Sequence, residues 1–387
     1  MNPAPVIVAA RRTPIGTAGR AFAEYTVDAL AAPVLAEVAR TVAPAGLRVE
    51  DVVLGNCMGP GGDVARVAAL RAGLGHEVPG VTVDRQCGSG LDAVLQAASR
   101  VRAADARLVL AGGAESASTA PHRAWPGSGE RYTRAPFAPE GFPDPDMGPA
   151  ADRLAAVRGI TRARQDAWAA RSHALAASAR DRGVFDAEIV PVDGVARDER
   201  PRAGMDRARL ARFGPAFVDE RADAAASGPG TLGTVTAGNS CGFSDGAAAM
   251  AVTTEQVARE LGLPALRVRA AAVAAGDPAL PGLGAAPAAR AALRRAGLAP
   301  GDLGFVELTE AFAAQVLAVS DELGLDEELV SADGGAIALG HPWGASGAVL
   351  LVRLAARMAA ADDARPGLAA CSIGGGQGVA MIVERVA

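Results

Sequence analysis

Cys87 stands where VTVDRQC, a run of strand character, meets GSGLDAVLQAASRVRA, a run of helical character. A sharp strand-to-helix turn holds a nucleophile up at a sheet edge. A helix N-terminus favours a thiolate, and such surroundings bring a thiol pKa down to roughly 3.5–7.5. Backbone N–H groups at the same turn can hold an oxyanion. The plain alternative is an inert buried cysteine, which is common. His341 lies in GGAIALGHPWGASG, between glycine-rich turns and just before a second helical run. A cysteine and a histidine brought together from two parts of a fold give a thiolate–imidazolium pair for nucleophilic catalysis. A histidine that merely sits in a turn is the alternative. The glycine-rich SIGGGQG at 372–378 follows a strand, lacks the phosphate-loop spacing and suits close backbone approach to a ligand.

The elements that must position these groups are short strands alternating with helices. VIVAA at 6–10 and VVLGN at 52–56 read as strands, and 27–43 and 161–182 as helical. This alternation implies a mainly parallel sheet in an α/β protein. CGSGLDAVLQAASRV at 87–101 echoes WGASGAVLLVRLAARM at 343–358, and each is followed by a strand ending in glycines, LVLAGGA and LAACSIGGG. We read this as a diverged internal duplication. Residues 118–142 carry Trp125, Tyr132, Phe137 and Phe142, too many aromatics for a flexible linker. The polar stretch 193–230 reads as surface.

The 387 residues include no lysine, so all 38 basic residues are arginine. That excludes a Schiff-base lysine, a phosphate-loop lysine and a Ser–Lys dyad. Cys57, Cys87, Cys241 and Cys371 form no CxxC pair, so no zinc cage is expected. A net charge of −5 without a basic stripe argues against nucleic acid. No signal peptide or membrane-length apolar run is read, and a cytoplasmic location is the expectation.

RTPIG (12–16), QCGSGLDAV (86–94), GGAESASTAP (112–121), MGPAADRLA (147–155), RQDAWAARSH (164–173), GTVTAGN (233–239), SDGAAAM (244–250), EAFAAQ (310–315), GGAIALGHPWGASG (334–347) and GGGQGVAM (374–381) together resemble thiolase motifs, in thiolase order. The resemblance implies a thiolase fold: two duplicated βαβαβ-type halves in a five-layered α/β/α/β/α arrangement with an inserted loop domain. It maps residues 1–117 plus 243–264 to the N-terminal half, 118–242 to the loop domain and 265–387 to the C-terminal half. It implies a homodimer or homotetramer with an acyl-thioester substrate and no cofactor. Coenzyme A or a carrier protein's pantetheine would bear the acyl group. By position, Cys87 is the nucleophile, His341 its activator, and the backbone N–H groups of Cys87 and Gly374 an oxyanion hole.

The departures from the family pattern are specific. Ser372 occupies the acid/base cysteine's position, with Cys371 one residue earlier. In a regular strand, neighbours point to opposite faces, so Cys371 is expected to face away from the site. Thr309 replaces the family's Asn or His before EAF. Asp146, Gly214, Cys241 and Pro281 stand at altered coenzyme A positions. A serine hydroxyl is too weak a base to take an α-proton without its own activator. The acylation half of a thiolase cycle is therefore expected intact and the carbon–carbon half impaired or rebuilt, with Cys371, or Ser372 with a water, as the substitute base. Three functions follow: Claisen condensation or thiolysis of a β-ketoacyl thioester; acyl transfer to a hydroxyl, an amine or a carrier-bound acceptor; and a non-catalytic partner subunit.

Overall fold

The computed structural model describes residues 3–217 and 233–386; the parts of the expected surface stretch and loop domain at 218–232 lie outside the described residues. The first half contains β1 (Pro5–Arg12), α1 (Val27–Val42), β2 (Asp51–Gly55), α2 (Val64–Arg71), β3 (Gly80–Val83), α3 (Ser89–Arg102) and β4 (Leu108–Ser116). Helices α4 (Met147–Arg158) and α5 (Arg162–Asp181) follow, and then β5 (Ser244–Thr254). The second half contains β6 (Leu266–Ala275), α6 (Ala285–Ala296), β7 (Phe305–Leu308), α7 (Ala313–Leu323), α8 (Trp343–Ala360), β8 (Gly367–Ile373) and β9 (Gln377–Arg385).

The strands run in the order β7-β8-β9-β6-β1-β5-β4-β2-β3. The join between β6 and β1 is only two residue pairs, Val6 with Arg267 and Ile7 with Leu266. Outward from that join the two sides repeat one plan. One side reads β1-β5-β4-β2-β3; the other reads β6-β9-β8-β7, then a single parallel bridge from Val306 to Val330. Chain rank and strand direction correspond position by position, so α3 and α8 are equivalent helices. The duplication read from residues 87–101 and 343–358 is this equivalence.

The expected mainly parallel sheet is corrected to a mixed one. β2 pairs parallel with β3 and β4, and β7 with β8, while β5 and β9 run antiparallel to their neighbours. The reason is local: β8 returns directly into β9 through the three-residue turn Gly374–Gly376, with no crossover helix.

Three apolar clusters separate the layers. One packs α1 and α2 on the first sheet, through residues such as Leu30, Val34, Val52 and Leu110. Another packs α6 and α7 on the second, through Leu293, Val316, Leu368 and Ala370. The third lies between the sheets and holds α3 and α8, with Leu91, Val94, Leu351, Ala369 and Cys371. The sandwiched α8 is therefore apolar on almost every side.

The two central helices touch backbone to backbone at their first turns. A Cβ on Gly90 would lie 2.8 Å from the Gly344 carbonyl oxygen, and one on Gly347 would lie 2.5 Å from the Leu91 nitrogen. Cys87 and His341 each stand just before one of these first turns. A buried ionic chain fixes the layers across the halves. Arg12 on β1 pairs with Glu188 at 2.7 Å and Asp198 at 2.7 Å; Glu188 also pairs with Arg353 on α8. Among the described residues, no helix is long and apolar enough to cross a membrane.

Gly347→Ala is expected to force the central helices apart and to destabilise the protein by about 1–3 kcal/mol. Urea unfolding checks this; an unchanged midpoint would show that the crossing has room to spare.

Candidate active site

The turn carrying Cys87 is strained and hydrogen-bonded into place. Gln86 has φ +50°, in the left-handed region that non-glycine residues avoid. Ser89 holds this turn shut: its hydroxyl donates to the Gln86 carbonyl at 2.6 Å and accepts from the Arg85 N–H at 2.8 Å. The Cys57 thiol donates to the same carbonyl at 3.0 Å. Cys87 is half-buried.

His341 is placed by both halves. Its N–H donates to Ser244 Oγ at 3.1 Å, on β5. Its Nδ1 is 2.6 Å from Ser346 Oγ, one turn into α8, and its buried Nε2 has no protein partner. Glu115, at the end of β4, accepts from the N–H groups of Gly344, Cys57 and Met58 and from the Asn56 amide. One carboxylate thus satisfies the N-terminus of α8 and the loop beside the Cys87 turn. Glu310 does similar work for the turn before His341. It accepts from Trp168 Nε1 at 2.9 Å, Ser172 Oγ at 2.7 Å and the Ile337 N–H at 3.2 Å.

The Gly374–Gly376 turn is capped by the loop domain. A Cβ on Gly374 would lie 2.6 Å from the Phe137 ring. Phe137 is steadied by Arg134, whose guanidinium stands 4.8 Å over the ring and pairs with Asp144 and Asp146. Asp146, from its altered family position, is therefore an exposed partner of Arg134. Gly214 is exposed, and neither residue bonds to Cys87, His341 or Ser372 among the described residues. Cys241 is closer to the centre: its N–H donates to the Ala311 carbonyl at 3.0 Å, and its charge would be felt at Cys87. Pro281 opens a short turn whose Gly282 carbonyl accepts from Ser372.

Ser372 and Cys371 differ from expectation in an instructive way. Strand β8 is regular against β9, without a bulge, so their side chains do point to opposite faces. It is Cys371, however, that lies on the central face with α3, and its charge would raise the Cys87 thiol. It is fully buried, 2.9 Å from Thr309 Oγ1. Ser372 is half-buried on the other face. Its hydroxyl donates to the Gly282 carbonyl at 2.7 Å and accepts from the Ala285 N–H at 3.1 Å. The expectation that Cys371 faces away is corrected: the alternation holds, but its phase puts Cys371 on the layer that carries Cys87.

The resting electrostatics also differ from a preformed ion pair. Burial pushes the Cys87 thiol well up, reinforced by Cys371 and Cys241. Burial pushes His341 down to about 4. Burial works against the low thiol pKa expected of a helix N-terminus, and His341 Nε2 has no hydrogen-bond partner among the described residues. The site holds a thiol and a neutral imidazole. Ser346, Glu115 and Glu310 were not singled out from sequence, although each lies inside a quoted motif. Their signal was a buried polar residue within a run of glycines and alanines.

Two matched halves of a thiolase-type fold, with a cysteine and a histidine at crossing helix N-termini, define a class of thioester-handling acyltransferases. The comparisons agree. The model of the thiolase N-terminal domain matches residues 5–256, and that of the C-terminal domain matches residues 263–385. Acetyl-CoA acetyltransferase of Thiocystis violacea is 42% identical over 98% of this chain and 99% of its own length. That of Escherichia coli K12 is 41% identical over 98% of this chain and 99% of its own length. The crystal structure of Bacillus anthracis acetyl-CoA acetyltransferase superimposes with a TM-score of 0.90 at 36% identity, covering 100% of this chain and 99% of that one. The chain belongs to the thiolase family.

Iodoacetamide labelling of Cys87, read by peptide mapping, is expected to be slow near pH 7 and to climb with pH without a plateau. The sign follows from burial, which favours the neutral thiol. A plateau already reached on the acid side would mean a resting ion pair.

Proposed function

We propose that this protein catalyses thiolysis or Claisen condensation of a β-ketoacyl thioester, with acetyl-CoA as the short acyl donor. The observation that carries the reading is the crossing of α3 and α8, which sets Cys87 and the unpartnered Nε2 of His341 at adjoining helix N-termini. The names of the relatives support the acetyl group and the coenzyme A carrier. Transfer to a hydroxyl or amine, and a non-catalytic role, draw no support from those relatives.

In the first half-reaction the Cys87 sulfur attacks the thioester carbonyl carbon, and His341 Nε2 takes the thiol proton. The tetrahedral oxyanion is held by the N–H groups of Cys87 and Gly374. Collapse expels the coenzyme A thiolate, which takes the proton back from His341 and leaves acyl-Cys87. The buried neutral pair suits this order: charge develops only as sulfur attacks, in a site arranged to receive it.

The second half-reaction needs a base for the α-carbon of a second thioester. We assign it to Cys371. Burial pushes the thiol up to about 12, so it is protonated at rest and must first give its proton to His341, which is neutral again once the first coenzyme A has left as the thiol. The thiolate so formed is a strong base, and Thr309 is hydrogen-bonded to it. Ser372 is the second reading, favoured by its partial exposure but weakened because its O–H already donates to Gly282.

Intact-mass measurement after incubation with acetyl-CoA is expected to show one acetyl adduct, lost in Cys87→Ala. Cys371→Ala is expected to keep the adduct but lose exchange of the acetyl-CoA α-protons into deuterated water. Ser372→Ala should keep both. Loss of exchange in Ser372→Ala alone moves the base to residue 372, and no adduct from any acyl-CoA defeats the enzymatic reading.

A further inference from the structure

Against the turn that carries His341, lined by Gly340, Pro342 and Ser346, the fold leaves a small cavity of about 20 Å³. Ile15 and Val349 supply apolar wall, while Glu307, Thr309, Ser346 and Arg353 supply polar atoms. All four polar residues are buried to 5% exposure or less. Arg353 spends Nη1 on Glu188 and Nη2 on Asp333, the latter at 2.6 Å, yet its buried Nε–H has no partner. Glu307 receives Arg357 Nη1 at 2.6 Å on one oxygen. Ser346 is the residue that holds His341 Nδ1.

We propose that this cavity binds one water molecule linking Ser346 to Glu307, making Glu307 the distant carboxylate that orients His341. The inference rests on the reading of His341 as the base for Cys87. The volume admits one water, and four polar groups satisfy its need for partners. Arginine can only donate, and a carboxylate paired with Arg357 can only accept. The water therefore accepts from Arg353 Nε–H and from the Ser346 O–H, and donates to Glu307 and to Thr309 Oγ1. With its proton committed to the water, Ser346 accepts from Nδ1–H of His341. Nε2 is left with its lone pair toward the site, the tautomer that can take the Cys87 proton.

When His341 becomes an imidazolium, Glu307 balances its charge through Ser346 and the water. No proton passes beyond His341, as with the orienting carboxylate of a Ser-His-Asp triad. The charged groups around this path are Glu307 with Arg357, and Arg353 with Glu188 and Asp333. Burial, with Asp333 adding to it, pushes the Glu307 carboxyl above its ordinary value, and Arg357 and Arg353 offset this only in part. Because Thr309 also lines the cavity and touches Cys371, one water would tie the nucleophile's base to the proposed base of the second step.

The test reads the tautomer directly. The full chain has four histidines, so nitrogen-15 histidine spectra are tractable, and His341→Gln identifies the relevant signal. The expected wild-type state at about pH 8 is protonated Nδ1 and bare Nε2. Ser346→Ala should mix the tautomers and slow Cys87 acylation about tenfold with the donor KM unchanged. Glu307→Gln should mix them too, and Ser346→Thr, which keeps the hydroxyl, should restore the wild-type signal. A wild-type His341 protonated on Nε2, or an unmoved tautomer in Ser346→Ala or Glu307→Gln, would overturn the proposal. If Ser346→Ala does not fold, the wild-type spectrum and Ser346→Thr still decide. The spectra need no substrate: the expected tautomer without acylation would sink the enzymatic reading and leave this inference standing.

Discussion

Everything at this site depends on two helices meeting at their first turns with no side chain between them. Gly90 faces the Gly344 carbonyl and Gly347 faces Leu91, so the backbones of α3 and α8 approach as closely as sterics permit. That contact brings two positive helix ends together, which is unfavourable unless something negative lies nearby. Glu115 is that group: its carboxylate accepts from the first turn of α8 and from the loop next to Cys87. The two helix ends favour negative charge on a transient sulfur or oxygen, while the Glu115 carboxylate works against a thiolate at Cys87.

Burial sets the other side of the balance. The central layer is covered by a sheet on each face, so a thiol and an imidazole placed in it are poorly solvated. Burial favours the neutral form of each. Such a site trades resting reactivity for protection. A fully formed thiolate would react with any electrophile that entered, whereas a neutral thiol is protected from it.

Much of this was legible in the sequence because glycine and small residues are hard to place anywhere else. The strand-to-helix turn at Cys87, the equivalence of α3 with α8 and the isolation of His341 all follow from spacing and residue type. Sheet direction was less legible. Whether β8 returns as a hairpin is decided at Gly375, whose φ of +72° turns the chain back, and alternating strands and helices do not report it. The supporting polar groups were hidden for another reason. Glu115, Glu307 and Glu310 act through partners far away in the chain, and a sequence read locally shows only a polar residue in an apolar run. Arg12 is the clearest case, since its meaning lies in Glu188 and Asp198.

The pair Cys371–Ser372 shows how strongly a strand constrains chemistry. Exchanging a thiol between adjacent positions does not move it by one residue's length along the same wall; it moves it through the sheet to the other face. At 372 a hydroxyl meets the Gly282 carbonyl and the Ala285 N–H, and both of its hydrogen-bonding roles are used to fasten β8 to the first turn of α6. At 371 a thiol meets Thr309, fully buried in the central layer. Thr309 is the hydrogen-bond partner of that thiol among the described residues. Any route for carbon–carbon chemistry through Cys371 must then pass by Thr309, which makes the replacement before EAF as consequential as the serine.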